Sequence, residues 1–191
     1  MKRIQLHDKI FRLYMPHDDI QAAVKNVADK INNDLKDVDT PLFIGVLTGS
    51  FMFLSDLMKN IEIPCEICFI RLASYEGTSS TGKVKQLLGL TQNVKNRTVV
   101  VVEDIVDTGG TITELDSILK DAGAKDIKYC TLLFKPDNYK GHIEVQYPAL
   151  QIPRDFIVGY GLDYDQLGRQ YKDIYVLDED ETERRKSINV R

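Results

Sequence analysis

Thr98 to Thr111 reads TVVVVEDIVDTGGT, and the rest of the chain is organised around it. The β-branched run Thr98 to Val102 is continuous rather than alternating. That is the pattern of a strand buried on both faces of a parallel sheet. The run meets two adjacent carboxylates, Glu103 and Asp104, then Ile105-Val106, a third carboxylate at Asp107, and Thr108-Gly109-Gly110-Thr111. A helix pattern follows at once: Ile112, Leu115, Ile118, Leu119 and Ala122 recur at helical spacing, and Gly123 closes it. Strand, acidic glycine-rich loop and helix start therefore come in that order. The loop at the carboxyl end of such a strand is where open α/β sheets bind ligands.

The residue types in the loop divide into two halves. Glycines let the backbone curl so that several N–H groups face one anion, and a helix starting there adds its positive end. Thr108 and Thr111 add hydroxyls. That half suits a phosphate. Carboxylates would repel a phosphate at contact distance, so Glu103 and Asp104 must face sugar hydroxyls or a magnesium ion. A ribose carrying a 5-phosphate, held with magnesium, satisfies both halves.

The sequence on either side reads as alternating strands and helices. Lys2 to Asp19 alternates weakly, and Asp18 or Asp19 is expected to cap a helix whose stripe is Ile20, Val24, Val27, Ala28, Ile31 and Leu35. Leu42 to Leu47 is a second buried strand. It ends in Thr48-Gly49-Ser50 ahead of a helix over Phe51 to Lys59, a second candidate anion site. Glu66 to Leu72 reads as a strand, Ala73 to Val84 as a glycine- and serine-rich loop around Tyr75, and Val84 to Leu90 as a returning strand. Ile127 to Phe134 is a strand ending at Lys135. Asp137 to Ile152 reads as loop, and Asp173 to Leu177 as a closing strand.

Two acidic residues, two apolar ones and then D-T-G-x-T make Glu103 to Thr111 similar to the phosphoribosyl-pyrophosphate (PRPP) signature of type I phosphoribosyltransferases. Asp155 to Tyr164, DFIVGYGLDY, resembles a second segment of the hypoxanthine–guanine branch of that family. The resemblance spans about Leu42 to Arg169, with its segments in the expected order.

It implies an α/β fold of the type I kind: one domain over 1–191, with a mainly parallel sheet flanked by helices (core about 20–147). A small hood, from 1–19 and about 148–191, would cover the base. It also implies transfer of the 5-phosphoribosyl group of PRPP to N9 of hypoxanthine, and of guanine, with Mg²⁺. Thr108, Gly109, Gly110 and Thr111 would hold the 5-phosphate. Glu103 and Asp104 would take the ribose hydroxyls, directly or through the metal, and Asp107 would be the general base near N7. Leu47, Thr48, Gly49 and Ser50, with Arg169, would surround the pyrophosphate, and the peptide bond before Thr48 is a candidate cis bond. Many relatives carry a basic residue at the place of Thr48, so its charge is missing here. Ser74 and Tyr75 would open a lid that excludes water. Lys135 would read the six-position oxygen of the base, Phe156 would stack on it, the backbone of Ile157 would read its edge, and Asp163 would ligate Mg²⁺.

Composition narrows the classes. A net charge of −4 over 191 residues offers no electrostatic footprint for nucleic acid. No apolar run is long enough to span a membrane or make a signal peptide, so a cytoplasmic setting is expected. Cys65 and Cys68 form a CxxC with no second pair, and read as thiols in or near a core rather than zinc ligands. The acidic tail Asp178 to Glu183 reads as a solvated end. A homodimer or homotetramer is expected from the family. A xanthine-preferring transferase and a non-catalytic PRPP-binding regulator stay open as alternatives.

Overall fold

The computed structural model describes residues 2–74, 85–88 and 90–189. Its centre is β6 (Thr98–Val106), which carries the anticipated valine strand on through Glu103 and Asp104, read from the sequence as loop, because β7 still pairs there, with Glu103, Ile105 and Val106. Val99 to Val102 are fully buried. Successive side chains of a strand point to opposite faces, so Val100 and Val102 join one core while Val99 and Val101 join another. The first core is closed by α1 (His17–Asp34) and α2 (Phe51–Met58), the second by α3 (Gly110–Asp121).

Around β6 lie β3 (Leu42–Val46), β4 (Glu66–Ser74), β5 (Lys85–Leu88), β7 (Asp126–Phe134) and β8 (Tyr147–Gln151), in the order β5-β4-β3-β6-β7-β8. All are parallel except β5, which pairs antiparallel with β4. β8 lies inside the stretch read as loop, and it places Pro148 in the main sheet rather than in the hood. Proline has no N–H to give a ladder and is tolerated at a sheet edge. The edge position that admits it is also what hides the strand from a propensity reading.

A second, antiparallel sheet forms the hood: β1 (Arg3–Leu6), β2 (Lys9–Met15), β10 (Ile174–Leu177) and β9 (Ile157–Val158), in the order β1-β2-β10-β9. The acidic tail is not simply solvated. It folds into α4 (Glu179–Asn189), whose Thr182 is buried and accepts a hydrogen bond from the Ile10 N–H at 3.0 Å.

The hood is tied to the core by buried polar contacts. Tyr160 Oη donates to Asp56 at 2.6 Å, and Gln21 donates to the same carboxylate at 2.8 Å. Helix α1 starts at His17 with Pro16 at its N-cap, one turn position ahead of the aspartates expected to cap it. Asp18 and Asp19 lie instead in the first turn, where negative charge complements the helix dipole. The cap comes from far away in sequence: Asp173 Oδ1 accepts the His17 N–H at 3.0 Å, and its other oxygen receives Lys2 Nζ at 2.6 Å. Asp173→Ala should therefore lower unfolding free energy by about 2 kcal/mol, the loss of a helix cap together with a charge-assisted bond. Urea unfolding measures it, and an unchanged midpoint would show that Asp173 is dispensable.

Candidate active site

The site grows out of the parallel register. β3 and β6 are neighbours, with Gly45 opposite Val102, so the end of β3 and the turn that follows it at Leu47 lie beside Glu103 and Asp104, which continue β6. A cavity of about 420 Å³ opens there. Leu47, Gly49, Glu103, Asp104, Ile105 and Thr111 line it, with Leu72 from the end of β4. Leu47 and Gly49, the acidic pair and Thr111 therefore line one cavity. Ile105 and Leu72 were not anticipated as lining residues. An apolar residue between two carboxylates carries no signal of its own.

The glycine-rich turn ahead of α3 has a backbone open to an anion. Gly109 adopts φ 88°, a left-handed conformation open to glycine at little cost. The Cβ it lacks would lie 2.4 Å from the Tyr139 ring. The first bond of α3 runs from the Thr113 N–H to the Gly109 carbonyl at 3.1 Å. The N–H groups of Gly110, Thr111 and Ile112 come before it and open from the helix end. Thr108 and Thr111 are exposed beside them.

Across the cavity the Leu47–Thr48 peptide bond is cis, as anticipated. Leu47 and Thr48 are exposed, whereas Ser50 is buried and its hydroxyl donates to the Val46 carbonyl at 2.6 Å. Ser50 thus spends its hydroxyl on the turn rather than on the cavity. Gly49 is packed on both sides. A Cβ there would sit 1.6 Å from Asp104 Oδ2, and a Cβ on Gly161 would sit 2.1 Å from the Gly49 carbonyl oxygen.

The acidic pair is held in an environment that disfavours its charge. Glu103 is 5% exposed, and burial together with the neighbouring Asp104 pushes its carboxyl well above the usual range. Burial also pushes Asp104 up to about 6, against a bond from the Ile105 N–H at 2.9 Å and the Arg169 charge, which pull it down. Among the described residues no cation is bonded to either carboxylate, and no three or more His, Cys, Asp or Glu side chains are grouped to hold a metal. Two adjacent carboxylates without a completing third ligand fit a hard cation that takes its other ligands from phosphate and water.

The raised Asp104 has a consequence for pH. The native state retains a proton that the unfolded chain releases near pH 4, so this group's contribution to stability falls as pH rises from about 4 to about 6. Asp104→Asn should gain on the wild type across that interval, by on the order of 2 kcal/mol. Urea unfolding of the pair at pH 4.5 and 7 reads the difference, and a constant gap would contradict it.

Asp107 and Lys135 follow the residues Val106 and Phe134, which are paired across β6 and β7. Their side chains meet: Lys135 Nζ lies 3.1 Å from Asp107 Oδ2, with the lysine buried. Lys135 is thus aimed at Asp107 rather than standing apart at the strand end. Asn138 donates to Asp107 Oδ1 at 2.6 Å, a partner that the loop reading of this stretch did not reveal.

In the hood, Phe156 is 41% exposed, with Tyr164 edge-on at 5.7 Å and Lys9 Nζ 5.2 Å from its ring centre. Ile157 is buried in β9, an edge strand whose outer backbone groups have no strand partner among the described residues. Asp163 pairs with Arg169 at 2.7 Å, and Arg169 also donates to the Gly161 carbonyl at 2.8 Å. Both lie within electrostatic reach of Asp104. Ser74 ends β4 at the same end of the sheet, and Tyr75 lies outside the described residues.

Residues 15–165 match the model of the phosphoribosyl transferase domain. The chain belongs to the phosphoribosyl transferase family. A hypoxanthine-guanine phosphoribosyltransferase of Streptococcus pneumoniae (strain ATCC BAA-255 / R6) is 37% identical over 176 residues, 92% of this chain and 97% of that protein. The crystal structure of a hypoxanthine-guanine phosphoribosyltransferase from Bacillus anthracis, with HEPES in its active site, superimposes with a TM-score of 0.76 at 34% identity. It covers 86% of this chain and 97% of that one. A mutant hypoxanthine phosphoribosyltransferase from Trypanosoma cruzi, in ternary complex with substrates, gives 0.79 at 32% identity and covers 88% and 95%. The expected type I phosphoribosyltransferase fold is thereby shown, with its five parallel strands and flanking helices. No helix among the described residues is long and apolar enough to cross a membrane.

Proposed function

We propose that this chain is a purine-salvage enzyme that transfers the 5-phosphoribosyl group of PRPP to N9 of hypoxanthine, and of guanine, releasing pyrophosphate. The observation that carries the reading is the single cavity in which the acidic pair, the glycine-rich helix start and the cis-peptide loop converge, with Asp107 and Lys135 following at the same strand ends. Its relatives' names point the same way.

In this reading the N–H groups at the start of α3, with Thr108 and Thr111, bind the 5-phosphate. Glu103 and Asp104 orient the ribose through its hydroxyls. Thr48, Gly49 and Arg169 face the pyrophosphate, and Ser74 and Tyr75 belong to the lid. Phe156 and Ile105 offer apolar surface to the base. The bond from ribose C1′ to the pyrophosphate oxygen breaks, the bond from C1′ to N9 forms, and Asp107 accepts the proton that the base gives up at N7. The carboxylates of Glu103 and Asp104, with Asp163 nearby, would hold Mg²⁺, which when bound neutralises charge on the leaving group. Because Thr48 is uncharged, backbone groups carry more of the pyrophosphate contact. The free thiols of Cys65, Cys68 and Cys130 suit a reducing, cytoplasmic setting. The single domain with its hood assembles into a homodimer or homotetramer, which sedimentation would measure.

A base panel tests the reading. Purified protein with PRPP and Mg²⁺ is offered hypoxanthine, guanine, xanthine and adenine, and pyrophosphate release is followed. Turnover of hypoxanthine or guanine but not adenine is expected. Turnover of xanthine alone would make it a xanthine enzyme, and PRPP binding without turnover would make it a regulator. Lys135→Ala should narrow the preference for hypoxanthine over adenine by about 10-fold or more, because a buried donor to the six-position oxygen is removed. An unchanged ratio would leave Lys135 only its bond to Asp107.

A further inference from the structure

We propose that Asn138 is a positioning residue for the transfer, holding the Asp107 carboxylate in place while Lys135 is drawn to the base. The inference rests on Asp107 being the proton acceptor. Among the described residues each oxygen of Asp107 has one donor, Asn138 Nδ2 at 2.6 Å on Oδ1 and Lys135 Nζ at 3.1 Å on Oδ2. The Asp107 side chain is 39% exposed, so packing alone does not fix its rotamer. The two donors differ in kind. Lysine is a point charge on a flexible four-carbon stem, whereas asparagine is short, with an amide that points where its backbone directs.

That backbone is well held. The Asn138 and Tyr139 N–H groups both donate to the Lys135 carbonyl at 3.1 Å, and the Lys140 N–H donates to the Thr108 carbonyl at 3.2 Å. The Tyr139 ring packs under Gly109. Arg154 of the hood bonds to the Asp137 carbonyl. One turn therefore carries both partners of Asp107 and also supports the phosphate loop. If Lys135 donates to the base oxygen, it gives up at least part of its bond to Asp107. Asn138 then remains to orient the carboxylate, and a carboxylate's remaining lone pairs are free for the purine N–H.

The test is steady-state kinetics of the full chain with PRPP, Mg²⁺ and hypoxanthine. Asn138→Ala and Asn138→Asp are compared, each alone and on Asp107→Asn. Alanine removes the donor, and aspartate keeps the side-chain shape and suits a turn but repels Asp107. Both should lower kcat by about 10-fold, with aspartate no better than alanine and the KM for PRPP within about twofold of wild type. On Asp107→Asn neither should add a further loss, because both act through the same carboxylate. Wild-type turnover by Asn138→Asp, or a full additional loss on Asp107→Asn, would reduce Asn138 to a turn residue. A slow Asp107→Asn beside an unimpaired Asn138→Asp would overturn this inference alone. Wild-type turnover by Asp107→Asn would overturn the proton-acceptor reading and this inference with it.

Discussion

Asp107→Asn is expected to lower kcat by about 10²- to 10³-fold, the usual worth of a positioned general base, while the Kd for PRPP stays within about twofold. The substitution keeps size and shape, and its one amide oxygen can still accept from Asn138 or from Lys135, though not in the two-oxygen arrangement of the carboxylate. What is lost is the capacity to take a proton. The proposed phosphate loop beyond it, built from backbone and anchored through Tyr139 and Lys140, is untouched. Pre-steady-state turnover and equilibrium PRPP binding separate the two quantities. An equal fall in both would mean that Asp107 shapes the PRPP site rather than performing chemistry.

Gly49→Ala is expected to lower kcat/KM for PRPP by about 100-fold, the scale of a displacement of an ångström at a reacting centre. The added methyl would meet Asp104 Oδ2 at 1.6 Å and its Cγ at 2.3 Å. Contacts on both sides resist a retreat. Asp104 is tethered by the Ile105 N–H, and the Gly49 carbonyl is backed by Gly161. The loop and the acidic pair must therefore move apart, and both belong to the proposed PRPP site. The melting temperature should change little by comparison, because the loop lies outside the two cores of the main sheet. Wild-type kinetics for Gly49→Ala would show that the loop yields without disturbing the carboxylates.

The parts legible from the sequence are those whose physics is local. A valine run implies a strand buried on both faces, glycines ahead of a helical stripe imply an anion-ready helix start, and Gly109 does adopt the conformation that favours glycine. The cis bond at Leu47–Thr48 came from resemblance rather than from local physics. The misreadings share one origin. Asp18 and Asp19 have cap chemistry, but a carboxylate from Asp173 supplies the cap. Asp137 to Ile152 read as loop, but Tyr147 to Gln151 pairs at the sheet edge, where Pro148 is tolerated. The charged tail looked solvated, but Thr182 gives α4 one buried contact with β2.

By itself the sequence determined the class of fold and the central strand, glycine-rich turn and helix start, since each depends on residue type and short-range spacing. Tertiary structure alone decided that Gly49 presses against Asp104, that Asp163 and Arg169 stand as a pair near the same carboxylate, and that Asn138 and Lys135 share Asp107. Those facts are distances between segments far apart along the chain. They are set by strand register and by the docking of the hood, which no local pattern encodes.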